Sequence, residues 1–254
     1  MRTEISDGIA QLWFDRPDAA NAVDIAAAEG FRDAAAALRE RDDVRAVMLA
    51  GEGRFFCAGG DVRYFTTQDD PQAAIQNLAN TCHAALEILR ALDAPVVARV
   101  HGPAAGIGLS FVLACDLAIA TDAAHFTSAY TAIGLSPDGG QSWLLPRAVG
   151  FKRATDMLMT NRRVRADEAV AWGMINEVVA SDALDARVRG VCETLAAGPR
   201  AAFGATKRLL DDSFTSSFHD QMETEGKAIA ALAGSPTGVE GAAAFVEKRR
   251  AEFP

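Results

Sequence analysis

A chain of 254 residues that is 50% hydrophobic, 23% charged and 7% aromatic has the balance of a folded globular protein rather than a disordered one. Its formal net charge of −9 argues against a broad basic surface for nucleic acid or anionic lipid, because phosphates demand clustered Lys and Arg. The four cysteines, Cys57, Cys82, Cys115 and Cys192, have no CxxC pair or framework spacing, so a reducing compartment with no disulfide and no metal site is expected.

Acidic Glu4 and Asp7 with no apolar run beside them do not make a signal peptide. The longest weakly polar stretch, Gly102 to Cys115, is too short to span the ~30 Å of a bilayer's hydrocarbon. A cytoplasmic location with no membrane partner is therefore expected. Glu4–Ser6 and Ile9–Phe14 flank Asp7-Gly8, a pair that tolerates positive φ and predicts a tight hairpin. From Asp24, placed to cap, to about Glu40 the alanine-rich segment reads as a helix, and Val44–Ala50 as a buried strand ended by Gly51.

The order then repeats. Ile75, Leu78, Cys82, Leu86, Leu89 and Leu92 recur at helical spacing, Pro95 stops that helix, and Val96–Val100 reads as a strand. A short helix over about Ile107–Cys115 leads into Leu117–Ala120. Alternating strands and helices predict a mostly parallel α/β core of stacked or spiral form. Beyond about Val179 the strand signals stop, and Asp182–Ala197, Pro199–Asp211, Ser217–Ala233 and Pro236–Arg250 read as helices, with Ser235 capping the last. A core over residues 1–197 and a helical region over 198–254 are the expected divisions.

Three glycine-rich passages stand out. Phe55 to Val62 contains Ala58-Gly59-Gly60, small residues that let backbone amides approach a ligand, although a turn needing positive φ has the same composition. His101 to Ser110 runs from a strand end into a helix start, whose free N–H groups would stabilise negative charge; it lacks the GxGxxG spacing of a dinucleotide fold. In Gly134 to Gly140 one carboxylate, Asp138, stands between Pro137 and two glycines.

Taken together, these passages resemble the crotonase (enoyl-CoA hydratase/isomerase) superfamily. The resemblance runs from Asp15-Arg16-Pro17 and Asn21-Ala22 through Cys57–Val62, His101–Asp116 and Ile133–Gly150 to Ala166–Val178. It implies an α/β fold with a crotonase-like ββα spiral core and a C-terminal helical region that drives assembly into a homotrimer or dimer of trimers. It also implies an acyl-CoA thioester substrate, with coenzyme A belonging to that substrate and no separate cofactor.

By the same resemblance, the amides of Gly60 and Ile107 bind the thioester oxygen; a backbone donor survives at Ile107 although glycine is often found there. CoA is expected along the Asp18-Ala19-Ala20 loop and the Ala58–Arg63 segment, which brings in Ala20, Ala58, Asp61, Val62 and Arg63. Phe245 and Lys248, a helical turn apart, are placed to reach a neighbouring subunit's CoA. The two glutamates that activate water in similar hydratases are replaced by Ser110 and Tyr130, both expected to line the pocket.

Asp138 falls where related isomerases carry a single acid/base. Moving a double bond from the β,γ to the α,β position needs one group, to take a proton from the α-carbon and return it to the γ-carbon. An enoyl-CoA isomerase is thus the expected function, with a hydratase or a silent acyl-CoA-binding homologue as alternatives. His83, on a leucine-rich helix, reads as a core-edge or solvent-facing residue. A dehalogenase of the superfamily does pair a helix histidine with an aspartate, but its neighbouring tryptophan is absent here and Pro137 stands instead.

Overall fold

In the computed structural model, which describes residues 1–254, β1 (Arg2–Ser6) and β2 (Ile9–Phe14) pair antiparallel across Asp7 and Gly8, both at positive φ. The chain continues through α1 (Ile25–Arg39), β3 (Ala46–Gly51), α2 (Val62–Thr66), α3 (Pro71–Ala91), β4 (Val96–Val100), β5 (Ala104–Ala105), α4 (Ile107–Ala114) and β6 (Leu117–Thr121). Next come β7 (His125–Thr127), α5 (Gln141–Val149), α6 (Phe151–Thr160), β8 (Val164–Arg165), α7 (Ala166–Ala171) and β9 (Glu177–Val179). Four helices close it: α8 (Leu184–Ala196), α9 (Arg200–Asp212), α10 (Phe218–Ala233) and α11 (Pro236–Glu247).

The main sheet has the order β1-β2-β3-β4-β6-β9, parallel except for the opening hairpin; a small second sheet has the order β5-β7-β8. Every residue of β3 is buried, as a parallel strand covered on both faces requires. Val47 and Leu49 turn to the main core with Phe31, Leu86 and Leu89, whereas Ala46, Met48 and Ala50 turn to Leu184, Val188 and Cys192 of α8. Phe14 packs against Phe31, Phe56 and Phe111 at centroid distances of 5.2–5.9 Å, a rigid base beneath α4.

Local capping follows the sequence. Asp24 accepts from Ala27 N and Ser235 from Gly238 N. The last helix is shorter than expected: it stops at Glu247, and Lys248 takes a left-handed conformation as its cap. Lys248 N still donates to the Ala244 and Phe245 carbonyls, so the turn joining Phe245 to Lys248 is closed and the chain leaves the helix just beyond it. Arg249, folding back onto Glu240, favours this ending over continuation to Arg250. No single helix is long and apolar enough to cross a membrane.

Candidate active site

Two backbone segments meet because glycines let them. Gly59 has φ +113°, and a Cβ there would lie 3.2 Å from the Ala105 carbonyl; one on Gly106 would lie 3.4 Å from Gly59 Cα. Cys57 bridges Ala104 in parallel, with Ala105 N donating to Cys57 O at 2.9 Å. On its other side the glycine segment is held by Val23, whose N donates to Gly59 O and whose O accepts from Asp61 N. Those bonds flank Gly60 in a strand-like bridge, so Gly60's own N–H points away from Val23. Ile107 opens α4, and its N–H precedes the helical ladder and has no partner within the helix. Gly60 and Ile107 both line one cavity of about 490 Å³.

The cavity walls are mainly apolar, with Val62 and Phe65 from α2, Ile75, Leu78 and Ala79 from α3, and Ile133 and Leu135 from the loop after Tyr130. Asp138 is the only carboxylate that lines it. Gly139, at φ +63°, follows; a Cβ there would lie 2.1 Å from Ile107 Cδ1 and 3.0 Å from Ser110 Cβ. The turn that carries Asp138 is thus pressed directly onto the start of α4.

His83 is not simply a core-edge or solvent-facing residue. Its Nε2 lies 2.6 Å from Asp138 Oδ1, and it lines the same cavity. A carboxylate oxygen only accepts, so the ring nitrogen carries the proton of this bond, leaving Oδ2 available to a ligand. The sequence offered little sign of the contact: 55 residues separate the partners.

Ser110 departs from expectation too. It is fully buried, lies outside the cavity lining, and donates to the Asp138 carbonyl at 2.9 Å. Tyr130 does line the cavity; its hydroxyl is buried without a hydrogen-bond partner, and burial, then the Asp138 charge, push the phenol above its ordinary value. Burial likewise pushes the Cys82 thiol up to about 12, with Asp138 adding to it. Both shifts disfavour the anionic forms of Tyr130 and Cys82, and the cavity's other titratable side chains are His83 and Asp138.

Of the segments expected to hold CoA, Ala58 and Val62 line the cavity with Gly60, and Arg63 is exposed on the first turn of α2 beside them. Asp61 caps α2 through Arg63 N and meets Arg16 Nη2 at 3.5 Å. Ala20 lies outside the lining; at positive φ, it accepts from Ala58 N at 3.0 Å and so fixes the segment's approach. Phe245, 85% exposed, stands on α11 and Lys248 caps that helix; neither lines the cavity.

A family model described as enoyl-CoA hydratase/isomerase matches residues 4–254, and the chain belongs to that family. Among its relatives, 4-chlorobenzoyl coenzyme A dehalogenase-2 of Arthrobacter sp is 35% identical over 249 residues, 96% of this chain and 90% of that one. The 1,2-epoxyphenylacetyl-CoA isomerase of Escherichia coli (strain K12) is 30% identical over 256 residues, covering 99% and 97%. The crystal structure of an enoyl-CoA hydratase from Mycobacterium smegmatis matches with a TM-score of 0.93 at 34% identity, covering 99% of this chain and 98% of that one. The fold is thus that of the crotonase superfamily and the chain is an acyl-CoA enzyme. Because these relatives carry the names of three different reactions, the reaction here must be read from side chains.

Proposed function

We propose that this chain is an enoyl-CoA isomerase that moves a double bond into conjugation with a thioester. The observation that carries the reading is Asp138 as the cavity's only carboxylate. The thioester oxygen accepts from the Gly60 and Ile107 N–H groups, each such donor being worth about 3–4 kcal/mol in a dry site. Asp138 takes the α-proton as charge moves onto that oxygen, then returns the proton to the γ-carbon as the enolate collapses. His83, bonded to Oδ1, orients the carboxylate so that Oδ2 serves both carbons.

Two-acid hydration has weaker support: the positions of its glutamates hold Ser110, bonded behind the site, and the neutral Tyr130. CoA lies along Ala20, Ala58, Asp61, Val62 and Arg63, with Arg63 offering its guanidinium to phosphate. The region over residues 198–254 serves assembly into trimers, a role supported by the exposed Phe218, Ile229, Val239, Phe245 and Val246.

A second reading is favoured by the His83–Asp138 contact together with the dehalogenase relative. In it Asp138 attacks a halogen-bearing ring carbon of an aroyl-CoA and halide leaves. Water, deprotonated by His83, then cleaves the resulting aryl ester to a phenol and regenerates the carboxylate. One panel separates the readings. With 3-enoyl-CoA, 2-enoyl-CoA and 4-chlorobenzoyl-CoA as substrates, isomerisation predicts new conjugated-thioester absorbance from the first alone. Loss of that absorbance from the second means hydration, and chloride release from the third means substitution; either without the first overturns the proposal.

A further inference from the structure

Gln141 opens α5, three positions beyond Asp138 on the same turn, and its side chain is fully buried. Burying a primary amide is unfavourable unless its groups are paired, and here both ends are engaged. Nε2 donates to the Gly106 carbonyl at 3.0 Å and to Ser110 Oγ at 3.3 Å, while Oε1 accepts from Ser128 Oγ at 2.7 Å. The Gly106 carbonyl can only accept, which fixes which end of the amide faces it. Ser110 Oγ and Gln141 N both donate to the Asp138 carbonyl, at 2.9 and 3.2 Å, completing a circuit.

The Gly106 carbonyl and the Ile107 N–H belong to one planar peptide unit, so holding the first aims the second. Leu109 N and Ser110 N also donate to Gly106 O, but both move with α4; Gln141 is the donor that arrives from outside it. A hydrogen bond to the carbonyl also polarises the N–H of the same peptide. A core that needed only volume here would be served by an apolar side chain of this length.

We infer that Gln141 is a positioning residue that aims the Ile107 N–H with respect to the Asp138 carboxylate, so that oxyanion donor and proton-transfer group keep one geometry. The inference rests on the reading of Ile107 as a donor to the thioester oxygen. It goes further in naming what sets that donor's direction, a buried amide carried on the catalytic turn itself.

The test is the carbonyl stretching band of bound butyryl-CoA, measured by difference infrared spectroscopy in wild type and in Gln141→Met. In wild type the band lies below its free position. In the variant it returns towards that position and kcat falls roughly 10- to 100-fold, the scale of a misaligned site, while the Kd for butyryl-CoA changes little. A folded variant with the wild-type band overturns the inference. A wild-type band already at the free position instead overturns the oxyanion reading, and this inference with it. Should Gln141→Met not fold, Ser128→Ala, which removes only the partner of Oε1, decides: a partial return of the band supports the inference, and an unmoved band with unchanged kcat overturns it.

Discussion

His83 Nε2 sits 2.6 Å from Asp138 Oδ1, so α3 and the turn before α5 meet at the cavity wall through one charge-assisted hydrogen bond. The two side chains are 41% and 34% exposed, respectively. At that exposure water screens the pair, and its value is in direction rather than stability. It fixes one carboxylate oxygen, Oδ1, and leaves Oδ2 outside the pair. This geometry gives different expectations for the two partners.

Asp138→Asn keeps a side chain of the same shape but removes the group that accepts the α-proton. Isomerisation of a 3-enoyl-CoA is expected to fall by about 10²- to 10⁴-fold, the usual contribution of a positioned acid/base. Binding of a saturated acyl-CoA, measured by calorimetry, should be nearly unchanged because the amides of Gly60 and Ile107 remain. Turnover close to wild type would remove Asp138 from the mechanism.

His83→Gln separates orientation from proton transfer. Glutamine can still donate to Asp138 Oδ1 but cannot take a proton from water. If His83 only orients the carboxylate, isomerase kcat drops by no more than about 10-fold, since an amide N–H replaces a ring N–H as donor to the same carboxylate oxygen. If water activation by His83 is essential, rapid-quench measurements with 4-chlorobenzoyl-CoA show one burst of chloride and then arrest. The isomerase reading predicts the modest loss and no burst.

Much of this architecture was legible in the sequence because single residues enforce it. Asp7-Gly8 specifies the hairpin, Asp24 and Ser235 specify helix starts, and the fully buried β3 reads as an unbroken apolar run. The second sheet was not legible, since β5, β7 and β8 have only two or three residues and fall below any periodicity. The stop at Glu247 carried no glycine signal, as Lys248 adopts the left-handed cap. In the site, the resemblance to the superfamily named Gly60, Ile107 and Asp138, and all three line one cavity. It did not reveal side-chain direction, which turns Ser110 behind the Asp138 turn and brings His83 onto its carboxylate. Gln141 had no signal of its own, for a lone glutamine at a helix start is usually solvated.

The contact between the Asp138 turn and α4 makes Gly139 a sharp test of packing. Gly139→Ala places a methyl 2.1 Å from Ile107 Cδ1, at a φ of +63° that side chains seldom adopt. Overpacking and backbone strain together should destabilise the fold by ~1–3 kcal/mol, read from chemical denaturation. Activity should fall by more than stability suggests, because the displaced turn carries Asp138. Adding Ile107→Ala opens the nearer clash and should restore part of the stability. Additive losses in the double variant would mean that the two side chains do not collide.

The C-terminal end supplies a pH-dependent prediction. Arg249 Nη1 and Nη2 meet Glu240 Oε1 and Oε2 at 2.6 and 2.8 Å, and Glu252 N donates to Oε1 at 2.7 Å. The Arg249 hydrogen bond first, and the Glu252 amide next, hold the Glu240 carboxyl down at about 2 from its ordinary 4.5. A carboxyl depressed on folding stabilises the folded state above its unfolded value and loses that contribution as pH falls towards its folded one. The contribution is therefore complete above about 4.5 and gone near 2. Glu240→Gln should lower the melting temperature relative to wild type at pH 7, and the gap should close as the pH falls through that window. The pair is exposed, so the gap should be small and shrink with added salt. A gap that stays constant down to the lower end of the window would mean that Glu240 acts there through packing rather than through its charge.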